Sequence, residues 1–72
     1  MLKTANDVQV GDVVLYQTYS GEHREVLVTY VSKDIKNGRA GFDALVIGHS
    51  SVYVWGYCSQ IVKFVSHAGE VN

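Results

Sequence analysis

Three observations predict an all-β fold, a small five-stranded barrel or strongly curled antiparallel sheet. Short runs rich in Val, Ile, Tyr, Phe and Thr recur along nearly the whole chain, at residues 13–18, 25–32, 42–47, 52–56 and 61–65. Gly-containing turns separate these runs, the usual punctuation of strands. No helix-period stretch of useful length competes, because the one candidate, residues 26–36, is too dense in β-branched side chains.

Taken in order, residues 4–12 read as a lead-in and a turn, and Gly11-Asp12 opens the first strand. In that strand Val13, Leu15 and Gln17 share one face, while Val14, Tyr16 and Thr18 share the other. Ser20-Gly21-Glu22-His23 makes the next turn, where Gly supplies positive φ at no steric cost. The second strand sets Val26, Val28 and Tyr30 against Leu27, Thr29 and Val31. Apolar residues on both faces suit a curled sheet better than a flat one with a wet side. Residues 33–41 form the longest polar interval, read as a loop around the turn signal Asn37-Gly38, with Gly41 as a second permissive backbone position. Gly48-His49-Ser50-Ser51 leads into the fourth strand, and Gly56 reads as a bulge or a barrel corner after it. Tyr57-Cys58-Ser59-Gln60 suits a single 3₁₀ turn before the last strand, and residues 66–72 read as a loose tail.

Seventy-two residues make one domain, spanning residues 1–72 with its core in 10–65. A domain of this size hides only about 60% of its unfolded surface, so its stability is marginal and self-association is one source of more. The 47% hydrophobic content argues against disorder. One cysteine, Cys58, permits no intrachain disulfide, which fits a reducing compartment. The first residues hold no apolar segment of signal-peptide length, and no run approaches a membrane span. The expectation is a soluble, cytoplasmic protein with no membrane partner. A net charge of −1 is neither a nucleic-acid footprint nor an acidic mimic by itself.

Five short strands, a long interval after the second, and the one-turn link Tyr57-Cys58-Ser59-Gln60 before Ile61-Val62-Lys63-Phe64 resemble an SH3-like barrel. The opening Val10-Gly11-Asp12-Val13-Val14 resembles the first strand of many such barrels. The segments Asp34-Ile35-Lys36-Asn37-Gly38-Arg39-Ala40-Gly41-Phe42-Asp43 and Trp55-Gly56-Tyr57-Cys58-Ser59-Gln60-Ile61-Val62 are similar to stretches of short bacteriophage proteins. The resemblance covers residues 10–65 and implies a fold but no activity. The acidic and aromatic ligand set of signalling SH3 domains is not recognisable, so proline-rich peptide binding does not transfer.

Two groups of residues stand out as candidate partner-binding sites. Lys33, Lys36 and Arg39 cluster in one interval, either as a phosphate-contacting basic loop or as a solvated turn partly neutralised by Asp34 and Asp43. Tyr53, Trp55 and Tyr57 alternate and so share a face of a continuous strand. That face is either an aromatic platform for a protein or stacked bases, or it is core. Val52 and Val54 on the opposite face suit a small barrel interior better than three large rings.

The chemistry-bearing residues form no catalytic set. His23, His49 and His67 fall in separate turns or the tail, without metal-ligand spacing. Cys58 has no base and orienting group at a known spacing, and Asp12, Asp34 and Asp43 sit beside glycines or turns, where Asp is favoured for backbone reasons. The expectation is therefore a binding module with no cofactor and no metal, not an enzyme. Its leading partner is another protein, as in a phage accessory that engages a host protein. A nucleic-acid-binding barrel and a structural homo-oligomer are the alternatives.

Overall fold

The computed structural model describes residues 7–48 and 52–67. Its five strands are β1 (Val13–Gln17), β2 (His23–Lys36), β3 (Arg39–Val46), β4 (Tyr53–Tyr57) and β5 (Ile61–Ser66). They form one antiparallel sheet of order β4-β3-β2-β1-β5, with a 3₁₀ turn at Cys58–Gln60 between β4 and β5. This is the all-β, five-stranded, curled antiparallel architecture that the strand rhythm predicts, including the one-turn link before the last strand.

The curl comes from β2. Its first half pairs with β1, from Gln17↔His23 to Val13↔Leu27, and residues 26–36 pair with β3. The β2–β3 register shifts between Val28 and Tyr30 and again between Ser32 and Lys36. Such shifts leave extra residues on one strand, bend it and increase its twist. The inner face of the curl is the core. Phe42, Val14, Val26 and Val28 are fully buried there, joined by Tyr16, Ala44, Val46, Val8 and Cys58. The Tyr16 and Phe42 rings meet edge to face at 5.9 Å.

The lead-in is folded onto this core. Asp12 is completely buried, and its carboxylate accepts a hydrogen bond from the Gln9 amide at 2.8 Å. The Asp12 amide donates back to the Gln9 carbonyl at 3.0 Å, and Val28 donates to the Asp12 carbonyl. This clamped turn, with Gly11 at φ 98°, holds Val8 against the core.

Four sequence expectations are corrected. Residues 33–41 are not a loop. Asn37 and Gly38, with φ of 58° and 74°, make a two-residue turn with both φ positive, and β2 and β3 run up to it on either side. The second correction is at Tyr30. It does not share a face with Val26 and Val28, because the register shift at Thr29 turns it outward (53% exposed) and brings Val31 against the core instead. Third, Gly56 is neither bulge nor corner. It stays in regular register opposite Phe42, where a Cβ would sit 3.1 Å from the end of the Phe42 ring. Fourth, β5 continues to Ser66, which pairs with Val13, and His67 follows with its ring 5.1 Å from that of Phe64. The sequence places the start of a loose tail at that point. Its remaining residues 68–72, the residues 49–51 of the turn before β4, and residues 1–6 lie outside the described residues.

Candidate functional site

The alternation of β4 decides where its rings go. Val54 packs against the core and Gly56 lies over Phe42, so Tyr53, Trp55 and Tyr57 project to the outer side of the sheet. Their β3 partners are Leu45, Asp43 and Gly41. Tyr53 is 68% exposed and Trp55 43%, whereas Tyr57 is only 7% exposed.

Tyr57 is covered by the β2–β3 hairpin, which folds its tip onto the same face. Gly41 makes this approach feasible. A Cβ there would run into Ile35 Cγ2 and the Gly56 carbonyl, so Ile35 rests directly on the glycine. The guanidinium of Arg39 then sits 4.2 Å from the Tyr57 ring centroid and donates to Ser59 Oγ at 3.4 Å. Asn37 Nδ2 reaches the Tyr57 hydroxyl at 3.5 Å. Lys36 Nζ lies 5.2 Å from the centre of the Trp55 ring. The Trp55 and Tyr57 rings meet at 5.3 Å and 87°, edge to face. Cation–ring contacts at exposed sites each contribute about 0.5–1 kcal/mol. They hold the two cations in place without removing them from water.

The structure thus joins two groups that the sequence leaves separate. Lys36 and Arg39 from the hairpin meet Trp55 and Tyr57 from β4. Lys33 is exposed in the register-shifted stretch of β2, and among the described residues no ring contact joins it to the others. Tyr53 continues the face beyond Trp55. Tyr30, which sequence parity groups with Val26 and Val28, adds an exposed ring across Asp43. Asn37 and Ser59, which buttress Tyr57 and Arg39, carry no sequence signal beyond turn propensity.

A second feature lies at the mouth of the curl. A cleft of about 480 Å³ is lined by Tyr16, Thr18, Arg24, Val46, Val52 and Val54. A smaller one of about 180 Å³ lies among Tyr16, Thr18, Tyr19, Trp55 and Gln60. Both run beside β4. The Gln60 side chain spans this gap. Its Oε1 accepts from the Tyr57 amide, and its Nε2 donates to the Gln17 carbonyl, each at 2.9 Å. Arg24 pairs with Glu22 at the cleft rim. Burial pushes the Tyr16 phenol up, partly offset by the Arg24 charge.

The remaining reactive groups are set apart from both features. Cys58 is buried, and that burial pushes its thiol up, against a smaller lowering by a hydrogen bond with its own backbone. A raised thiol stays protonated at neutral pH and is a poor nucleophile. His23 is exposed at the start of β2. Among the described residues, no three His, Cys, Asp or Glu side chains gather into a metal-holding group, and no helix is long and apolar enough to cross a membrane. Comparison of the chain with protein-family models, curated proteins and solved structures returns no match.

Proposed function

We propose that this chain is a non-enzymatic protein-binding module, and that a partner protein docks on the outer face built by Tyr53, Trp55, Lys36 and Arg39. One observation carries the reading. Tyr53, Trp55 and the Arg39 guanidinium share one sheet face, and Tyr, Trp and Arg are the residue types enriched at the energetic centres of protein interfaces. Aromatic anchors lose little side-chain entropy on binding, and Trp55 is already fixed between Lys36 and Tyr57. The complementary surface is apolar, with acidic residues where it meets Lys36, Arg39 and Lys33.

The same face is less suited to nucleic acid. Asp43 pairs with both Tyr30 and Trp55, so a carboxylate sits between the two rings that would stack bases. A phosphate chain crossing the face would pass over that charge.

The test is affinity capture with wild type, Trp55→Ala and Lys36→Glu side by side, with the fold of each checked by far-UV circular dichroism. The expected result is a protein retained by wild type and lost with both variants. A partner retained equally by folded Trp55→Ala would move the docking surface elsewhere. Binding of a labelled single-stranded oligonucleotide that falls steeply with salt would favour the nucleic-acid alternative instead.

A further inference from the structure

The direction of the β4 main chain follows from one hydrogen bond. The Val46 amide donates to the Val52 carbonyl at 2.9 Å, which makes that pair a hydrogen-bonded one. Hydrogen-bonded and non-bonded pairs alternate in an antiparallel ladder. In the β3–β4 register the next bonded pairs are Ala44↔Val54 and Phe42↔Gly56. The main-chain groups of Tyr53, Trp55 and Tyr57 therefore point away from β3, toward the edge of the sheet. Tyr57 confirms the direction, because its amide is taken by Gln60 Oε1 on that side. Among the described residues β4 pairs with β3 alone, so Tyr53 and Trp55 present donors and acceptors along an edge.

That edge lacks the usual protection. Free edges in soluble proteins carry Lys, Pro or inward charges that discourage pairing. The opposite edge strand, β5, has Lys63. β4 reads Tyr-Val-Trp-Gly-Tyr, and no Asp, Glu, Lys or Arg occurs anywhere in residues 44–62. The larger cleft beside β4 opens its inner side at Val52 and Val54, with Arg24 also in the cleft's lining.

We propose that β4 pairs antiparallel with β4 of a second copy of this chain, about a two-fold axis through Val54. In this register Tyr53 of each copy faces Trp55 of the other, and each such pair exchanges both N–H···O bonds. Val54 faces its own symmetry mate as a non-bonded pair on the cleft side. β4 itself carries no charge for a second copy to repel, and Lys36 lies over the Trp55 ring on the outer face, not on the main-chain edge. A two-fold contact sets each residue against itself or its near neighbours, and a charged edge would repel its own image. The inference does not rest on the outer-face reading. Pairing through the main chain leaves both Trp55 side chains on the outer side, where they form one wider aromatic surface.

The test is sedimentation equilibrium over a concentration series, on wild type, Tyr53→Ala and Tyr53→Pro, with Val54→Cys for cross-linking. Wild type should rise from the mass of one chain to that of two and no further. Proline at residue 53 deletes an amide that faces the edge and none that pairs with β3. It should weaken the dimer roughly tenfold or more, since each dimer loses two hydrogen bonds, while Tyr53→Ala, which keeps the amide, weakens it less. Non-bonded pairs bring their Cα atoms to about 4.5 Å, within disulfide reach, so oxidised Val54→Cys should give a covalent dimer. A single-chain mass at millimolar concentration, an open-ended assembly, or a dimer that folded Tyr53→Pro leaves intact would each overturn the proposal. If Tyr53→Pro fails to fold, absence of the Val54→Cys disulfide overturns it instead. None of these outcomes depends on whether a foreign protein binds Trp55.

Discussion

Trp55→Ala separates a surface role for this side chain from a core role, and the structure sets the magnitude. The ring is 43% exposed, so truncation opens no sealed cavity. What it loses is specific. The Lys36 ammonium over the ring contributes about 0.5–1 kcal/mol. The edge-to-face contact with Tyr57 contributes about 0.5–1.5 kcal/mol. Together these two contacts account for about 1–2.5 kcal/mol, and the loss of the ring's partial burial adds to it, so the total stays below the loss at fully buried Phe42. Phe42→Ala is the internal control. Phe42 is fully buried against Tyr16 and Gly56, and deleting a buried Phe costs about 3–5 kcal/mol, close to all the stability a domain of this size commands. Urea unfolding followed by far-UV circular dichroism reads both, because Trp55 is the chain's single tryptophan and its fluorescence leaves with it. A Trp55→Ala protein as unstable as Phe42→Ala would refute the reasoning. Trp55 would then hold the sheet together, and its conspicuous position would say nothing about partners.

Three further expectations can be measured by the same melts. Stability should fall at alkaline pH, because burial raises the Cys58 thiol above its usual 9.0 and the Tyr16 phenol above its usual 10.0. The folded state then holds these protons more tightly than the unfolded one, so their contribution is complete below the unfolded values and is lost as pH rises through the folded ones. Cys58→Ala should remove the part of the decline that begins near 9.0, and an unchanged profile would assign the decline to other groups. Gly38→Ala should cost about 1–2 kcal/mol, purely from its φ of 74°, since a Cβ there would meet nothing within 4 Å. A neutral effect would mean that the turn is not held in that conformation. Gly41→Ala should cost about 1–3 kcal/mol by overpacking against Ile35 and the Gly56 carbonyl. Adding Ile35→Ala should recover only part of it, because the carbonyl belongs to the backbone and cannot retreat; full recovery would show that the side chain alone was in the way.

Strand existence, order of elements and the 3₁₀ link were legible in the sequence because each rests on local chemistry: β-branched runs, glycine punctuation and a short polar link. The failures share one cause. Register shifts are set by how two strands pair, and nothing in β2 alone announces that Thr29 displaces the alternation and turns Tyr30 outward. The polar interval at residues 33–41 looked like a loop for the same reason. Asn37-Gly38 is the turn its residues predict, but the polar residues flanking it are strand residues of a hairpin whose tip folds over Tyr57. Gly41 and Gly56 suggest conformational devices by sequence, whereas both are there for close approach, by Ile35 in one case and Phe42 in the other.

The same distinction explains why the candidate site was only half visible. The spacing of Tyr53, Trp55 and Tyr57 shows that they share a face, but which face is decided by Phe42. Its ring needs the space above Gly56, so the inner side of β4 can carry nothing larger than Val54 near it. The aromatics are outside because the core has no room for them. Once outside, their fates differ by position along the strand. Tyr57 lies within reach of the hairpin and is covered by Arg39 and Asn37. Trp55 receives only the Lys36 ammonium, and Tyr53, farther from the turn, remains the most exposed of the three. The gradient runs toward the start of β4, where the uncharged edge and the clefts also lie. A partner protein on the outer face and a second copy along the edge would therefore meet at the same two residues, Tyr53 and Trp55. One would use their side chains and the other their main-chain groups, so the two modes are geometrically compatible.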